Sequence, residues 1–147
     1  MSGDFLGIYE NSVNKMRVII PAPMKCKIET TPEQTVICSI GEKNMCVAVI
    51  PIDTWNEYKT KAKSGDERAS RFYSSLKQFA MPEQQLEGPG RVRIGDELIK
   101  ITGITDNVII KGEGDYITIW NPDVFKVVRE EKLKNHAKEF DAIDYEL

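Results

Sequence analysis

The sequence predicts an α+β fold: two copies of one β-rich unit, with a helical hairpin between them and a helix after the second. Three observations predict it. Asn14-Lys15-Met16-Arg17-Val18-Ile19-Ile20-Pro21 and Gly88-Pro89-Gly90-Arg91-Val92-Arg93-Ile94-Gly95 each read as a turn, an arginine and a short β-branched run, and the two arginines lie 74 positions apart (91 − 17). Val36-Ile37-Cys38 finds its counterpart in Val108-Ile109-Ile110 at an offset of 72 (108 − 36). Cys46-Val47-Ala48-Val49-Ile50-Pro51-Ile52-Asp53-Thr54-Trp55 lies over Tyr116-Ile117-Thr118-Ile119-Trp120-Asn121-Pro122-Asp123-Val124-Phe125 at an offset of 70 (116 − 46), with a strand, a helix start and an aromatic in the same order. A slowly shrinking offset is what loop-length differences between two copies produce, so the chain reads as an internal duplication. The expected segments are a first β repeat at 4–53, a helical connection at 54–81, a second β repeat with its helix start at 82–128, and a charged helical tail at 129–147.

In the first copy, residues 5–9, a crossing at 11–15 and a return at 16–20 alternate apolar and polar positions, which predicts a hairpin. Pro21 and Pro23 end the returning strand. Residues 36–40 and 45–50, joined by Gly41-Glu42-Lys43-Asn44, predict a second hairpin. Thr54 with Glu57 has capping-box spacing for a helix carrying Trp55 and Tyr58 on one face, and Ser64 with Glu67 has it for another. Phe72, Tyr73, Leu76, Phe79 and Ala80 are expected to face inward, since aromatic stripes at helical spacing are mostly core.

The second copy repeats this plan. Residues 84–87 lead into Gly88-Pro89-Gly90, residues 91–94 return, and 108–111 pair with 116–120 across Gly112-Glu113-Gly114-Asp115. Those glycines match neither GxGxxG nor GxxxxGK and join two strands instead of opening a helix, so they form no phosphate loop. Asn121 as N-cap and Pro122 at the first helical position start a helix with Val124, Val127 and Val128 inward. Leu133, Ala137 and Phe140 keep helical spacing into the charged tail.

No run of about 18 apolar residues is present to span a membrane. The N-terminus shows no basic segment followed by an apolar stretch, so a cytoplasmic location is expected. Cys26, Cys38 and Cys46 contain no CxxC pair, and His136 is the single histidine, so no metal site is expected; Cys38 and Cys46 read as core thiols. His136 lies on a highly charged helix, and the carboxylates Glu130 with Glu131 and Asp141 with Asp144 fall in the tail. No catalytic constellation, cofactor or small-molecule substrate is therefore expected, and the chain reads as a non-enzyme. A formal net charge of −3 argues mildly against nucleic acid, unless charge is gathered locally.

Such a gathering is visible. Lys15 and Arg17 in the first copy and Arg91 and Arg93 in the second sit at or just after a turn, where a rigid backbone points a guanidinium outward. Arginine on a stiff loop suits reading a base edge or a phosphate. Solvated strand ends are the alternative. Strand alternation puts Val18 and Ile20 with Met16 on one side and Arg17 on the other, towards solvent.

This repeated pattern resembles the MraZ family of bacterial transcription regulators, built from two fused AbrB-like halves, over residues 5–128. In that family each half carries Asp-x-x-x-Arg, commonly Asp-x-Lys-Gly-Arg followed by a hydrophobic run. The second motif here is Glu87-Gly88-Pro89-Gly90-Arg91, with glutamate for aspartate. The first is Val13-Asn14-Lys15-Met16-Arg17, which keeps lysine, arginine and the later Pro21 but loses both the acid and the glycine. Met16 is disfavoured in the left-handed region that glycine would adopt, so the first loop is expected to differ in shape. The missing acid at 13 is expected to leave Arg17 without an intramolecular partner. Ile119-Trp120-Asn121-Pro122 is the most specific match and speaks to fold.

The resemblance implies two pseudo-symmetric swapped-hairpin β units forming a double-psi-like β barrel, and a ring-shaped homo-oligomer. It implies a cytoplasmic, nucleoid-associated repressor that binds short promoter repeats of its own division and cell-wall gene cluster as double-stranded DNA. Lys15, Arg17, Arg91 and Arg93 would contact DNA, with Glu87, Gly88 and Gly90 supporting the second motif. Two rivals are an antitoxin-like protein-interaction module and a degenerate relative that keeps the oligomer but has lost DNA binding.

Overall fold

A computed structural model describes residues 1–30 and 34–142. The first copy contains β1 (Ile8–Ser12), β2 (Arg17–Ile19), α1 (Ala22–Lys25), β3 (Thr35–Ile40), β4 (Cys46–Pro51) and α2 (Ile52–Lys63). After α3 (Glu67–Lys77) follow β5 (Gln84–Gln85), β6 (Arg91–Arg93), α4 (Asp96–Thr102), β7 (Asn107–Gly112), β8 (Ile117–Trp120) and α5 (Pro122–Ala142). The result is a mixed α+β structure with antiparallel pairing between all its strands.

The strands exchange between the copies. The six-stranded sheet runs β1-β7-β8-β4-β3-β5, and replacing each strand by its counterpart in the other copy returns the same order read from the opposite end. β1 pairs with β7 and β5 with β3, so each copy lends an edge strand to the other. The expected hairpin between residues 5–9 and 16–20 does not form. β2 leaves the sheet after the Asn14–Arg17 bridge and pairs with β6, which buries Val18 and Ile20 together with Val92 and Ile94, none of them more than 1% exposed. The swapped pairing gathers these four apolar side chains, two from each copy, in one place away from water.

Two short helices escaped the sequence patterns. Pro21 and Pro23 do end a strand, but proline is also at home in the first turn of a helix, and α1 begins there. α4 is its counterpart, opened by Gly95 and closed by Gly103 in the left-handed conformation. Met24 on α1 and Leu98 on α4, 74 positions apart (98 − 24), are both buried in the main core.

The helical hairpin is capped differently from the predicted boxes. α2 starts directly after Pro51 with no side-chain cap, and Thr54 is buried inside it. Asp66, and not Ser64, caps α3 by accepting from the Ala69 N–H at 3.1 Å. Trp55 packs edge-on to Tyr73 and Tyr58 edge-on to Phe72, each at 5.2 Å between ring centroids. Leu76 is buried against Ile37, Ala48 and Ile50, whereas Phe72 and Phe79 remain 45% and 37% exposed, so the stripe is only partly inward.

Asn121 caps α5 as expected, its Oδ1 accepting from the Asp123 N–H at 2.9 Å. Phe125, not Val127, is the buried side chain, and it meets Trp120 edge-on at 5.5 Å between centroids; Val127 points outward. Leu133, Phe140 and His136 are exposed along the rest of α5, and residues 143–147, including Asp144, lie outside the described residues. Cys38 and Cys46 are core thiols whose pKa burial pushes up to about 12, while Cys26 is exposed. Among the described residues no helix is long and apolar enough to cross a membrane.

Candidate functional site

The β2–β6 ribbon builds the site. Arg17 stands opposite Arg93, Val18 opposite Val92 and Ile19 opposite Arg91. Since Val18 and Val92 point into the core, alternation puts Arg17, Ile19, Arg91 and Arg93 on the other face. The ladder extends symmetrically, the Ile20 N–H donating to the Gly90 carbonyl and the Ile94 N–H to the Met16 carbonyl, each at 2.9 Å. A pseudo-twofold therefore passes between Val18 and Val92. Like charges opposite one another weaken a strand pair, so stability alone does not account for arginine facing arginine.

Both edge strands brace the ribbon. Asn11 on β1 donates its amide to the Ile19 carbonyl at 2.9 Å. Gln84 on β5 donates to the Arg93 carbonyl and accepts from the Arg93 N–H, both at 2.9 Å.

The two turns differ in length. Asn14 and Arg17 exchange backbone hydrogen bonds of 2.9 and 3.0 Å around Lys15 (φ 51°) and Met16 (φ 64°), the pattern of a two-residue turn with positive φ at both positions. Glu87 and Arg91 exchange bonds of 3.0 and 2.8 Å around three residues, with Gly88 at φ 50° and Gly90 at φ 111°. The expected difference in shape is thus present, and Met16 adopts the left-handed backbone despite its side chain. Met16→Gly is expected to raise stability by about 1 kcal/mol by relieving that strain, read as a shift in the urea midpoint at unchanged slope.

The shorter turn also moves the motif frame. The Val13 N–H donates to the Asp106 carbonyl at 2.7 Å, and the Leu86 N–H to the Gln34 carbonyl at 3.2 Å. Asp106 and Gln34 are themselves counterparts at the offset of 72 (106 − 34) that superposes β3 on β7. Val13 is therefore the equivalent of Leu86, both half-buried against the core, and Asn14, not Val13, occupies the place of Glu87.

Arg17 does have a carboxylate partner, contrary to expectation: its Nε lies 3.6 Å from Glu87 Oε2, across the ribbon in the other copy's turn. Its Nη1 also donates to the Lys15 carbonyl at 3.2 Å. Both side chains are substantially exposed, so the pair is worth under about 1 kcal/mol and orients Arg17 more than it stabilises the fold.

A groove of about 390 Å³ lies between the turns and gathers Lys15, Arg17, Arg91, Asn14, Glu87 and Ile19. Arg93 shares the ribbon face but lies outside the groove lining, as do Gly88 and Gly90 in the turn between Glu87 and Arg91. A β-carbon on Gly90 would come within 2.9 Å of the Lys25 stem, a flexible side chain that can move aside, so it is the φ of 111° and not space that calls for glycine there. Asn11, Asn14, Ile19 and Gln84 are additions the sequence patterns did not single out; Asn14 carried a faint signal as a turn former ahead of two positive-φ residues. Guanidinium forks and a lysine beside one acid on this ribbon suit an anion that offers paired acceptor oxygens, such as a phosphate or a carboxylate. Among the described residues no His, Cys, Asp and Glu cluster could hold a metal ion.

No protein-family model matches the chain. It is 26% identical over 138 residues to a protein of Pelagibacter ubique named transcriptional regulator MraZ, covering 91% of this chain and 85% of that one. A Bacteroides fragilis protein of the same name is 28% identical over 145 residues, covering 94% and 87%. One from Proteus mirabilis is 22% identical over 132 residues, covering 88% and 87%.

Proposed function

We propose that this chain, a divergent relative of the MraZ proteins, is a transcription regulator that binds double-stranded DNA through the exposed face of the β2–β6 ribbon. One observation carries the reading: Arg17, Arg91 and Arg93, from segments 74 positions apart, share one face of one ribbon, with Lys15 in the adjoining turn. A two-stranded ribbon fits the major groove, and arginine is the side chain best shaped for guanine edges and phosphates. The net charge of −3 is no obstacle, because the field at an interface depends on where the charge is placed.

In the finer reading, the swapped units close a double-psi-like barrel and copies of the chain assemble into a ring. Such a ring would present several ribbons to short repeats in the promoter of its own division and cell-wall gene cluster, as a repressor. Individually weak contacts would then gain strength through effective concentration.

Fluorescence anisotropy on a duplex from upstream of the chain's own gene, against a scrambled duplex at two salt concentrations, tests the reading. Selective binding that weakens with salt is expected. Equal weak binding to both duplexes, or none, would overturn it in favour of a protein partner, as in an antitoxin-like module or a relative that has lost DNA binding.

A further inference from the structure

We propose that the two arginine turns are inequivalent readers and that Glu87 and Asn14 set the difference. Glu87 is a positioning residue that holds Arg17 of the opposite turn, whereas Asn14 leaves Arg91 uncompensated as the principal anion-binding group of the groove. The consequence for DNA rests on the DNA-binding reading above; the difference between the arginines does not.

The pseudo-twofold exchanges Arg17 with Arg91 and, with the frame fixed by the Val13 and Leu86 hydrogen bonds, Glu87 with Asn14. The Arg17–Glu87 contact at 3.6 Å therefore has its symmetry mate in Arg91 and Asn14, which line the same groove. There the carboxylate is replaced by an amide, which carries no charge to offset the guanidinium. Arg17 is oriented by the hydrogen bond from its Nη1 to the Lys15 carbonyl and by the charge of Glu87, whose carboxylate lies at ion-pair distance from its Nε. A held arginine discriminates by geometry and contributes little net charge. An unheld, fully charged one contributes attraction and salt dependence.

Nε–H NMR signals of the ¹⁵N-labelled full chain test the difference without DNA, with Arg17 and Arg91 assigned by single Arg→Lys variants. The Arg17 Nε–H is expected to exchange more slowly than that of Arg91. Glu87→Gln should remove this protection, and Asn14→Asp should confer it on Arg91. Equal exchange in the wild type, or an Arg17 signal indifferent to Glu87→Gln, would overturn the proposal.

The same variants then go onto the two duplexes. Glu87→Gln should strengthen binding to the scrambled duplex about fivefold, lower the selectivity ratio by a similar factor and steepen the salt slope by about 1. Asn14→Asp should weaken both duplexes about tenfold and flatten the slope by about 1. Variants that leave both slopes unchanged would overturn the assignment of roles. A wild type that binds neither duplex would overturn the DNA reading and its consequence here, with the NMR signals still deciding which arginine is held.

Discussion

The double variant Arg17→Ala with Arg91→Ala is expected to bind the upstream duplex about 100-fold more weakly than the wild type. Each arginine that meets a base or phosphate is worth about 1–3 kcal/mol, so two at the lower half of that range supply the factor. The salt slope should flatten by between about 1 and 2, because Arg91 loses a full phosphate-pairing charge while that of Arg17 is already partly offset by Glu87. Folding should be nearly untouched. Val18 and Val92 carry the burial of the ribbon, and removing Arg17 from opposite Arg93 relieves a like-charge pair. An unfolding midpoint within about 2 °C of wild type separates lost recognition from lost structure. Unchanged affinity would move the interface away from this face.

The duplication was legible because buried runs cannot drift: Val36-Ile37-Cys38 and Val108-Ile109-Ile110 occupy equivalent strands and keep their apolar character. Which strand pairs with which was not. A local hairpin and a swapped ribbon bury the same alternation, and only the closed arrangement of Val18, Ile20, Val92 and Ile94 distinguishes them. α1 and α4 were hidden because proline and glycine end strands and begin helices alike. The predicted boxes at Thr54 and Ser64 are local patterns, overridden where Pro51 starts α2 from within the sheet and Asp66 reaches the Ala69 N–H. At the site, alternation sufficed to put Arg17 opposite Val18 in its strand. The acid's equivalent was misplaced by one residue, since a deletion inside Asn14-Lys15-Met16-Arg17 leaves no mark in the letters and shows only in where the Val13 and Leu86 amides donate.

Gly112→Ala is expected to destabilise the fold by about 3 kcal/mol, the largest structural effect of a single methyl group in this chain. Gly112 has no unusual backbone conformation, so the reason is space. A β-carbon there would fall against the carbonyl carbon of Phe5 and within 2.5 Å of the Leu6 nitrogen and the Phe5 oxygen, all main-chain atoms. That segment cannot yield cheaply: the Gly112 N–H donates to the Gly7 carbonyl, and Phe5 and Gly114 exchange two further backbone bonds, all at 2.9 Å. Phe5 itself is fully buried, and displacing a buried phenylalanine forfeits a burial worth about 3–5 kcal/mol when lost entirely. Gly114→Ala is the control. No neighbouring atom lies within 4 Å of its β-carbon, and its φ of 84° should cost only about 1 kcal/mol of backbone strain. Urea unfolding of both variants checks the difference, and equal costs would show that conformation and not crowding governs this turn. Because Phe5 to Gly7 lead directly into β1, which carries Asn11 to the ribbon and the first arginine turn beyond it, Gly112→Ala should loosen Arg17 before Arg91.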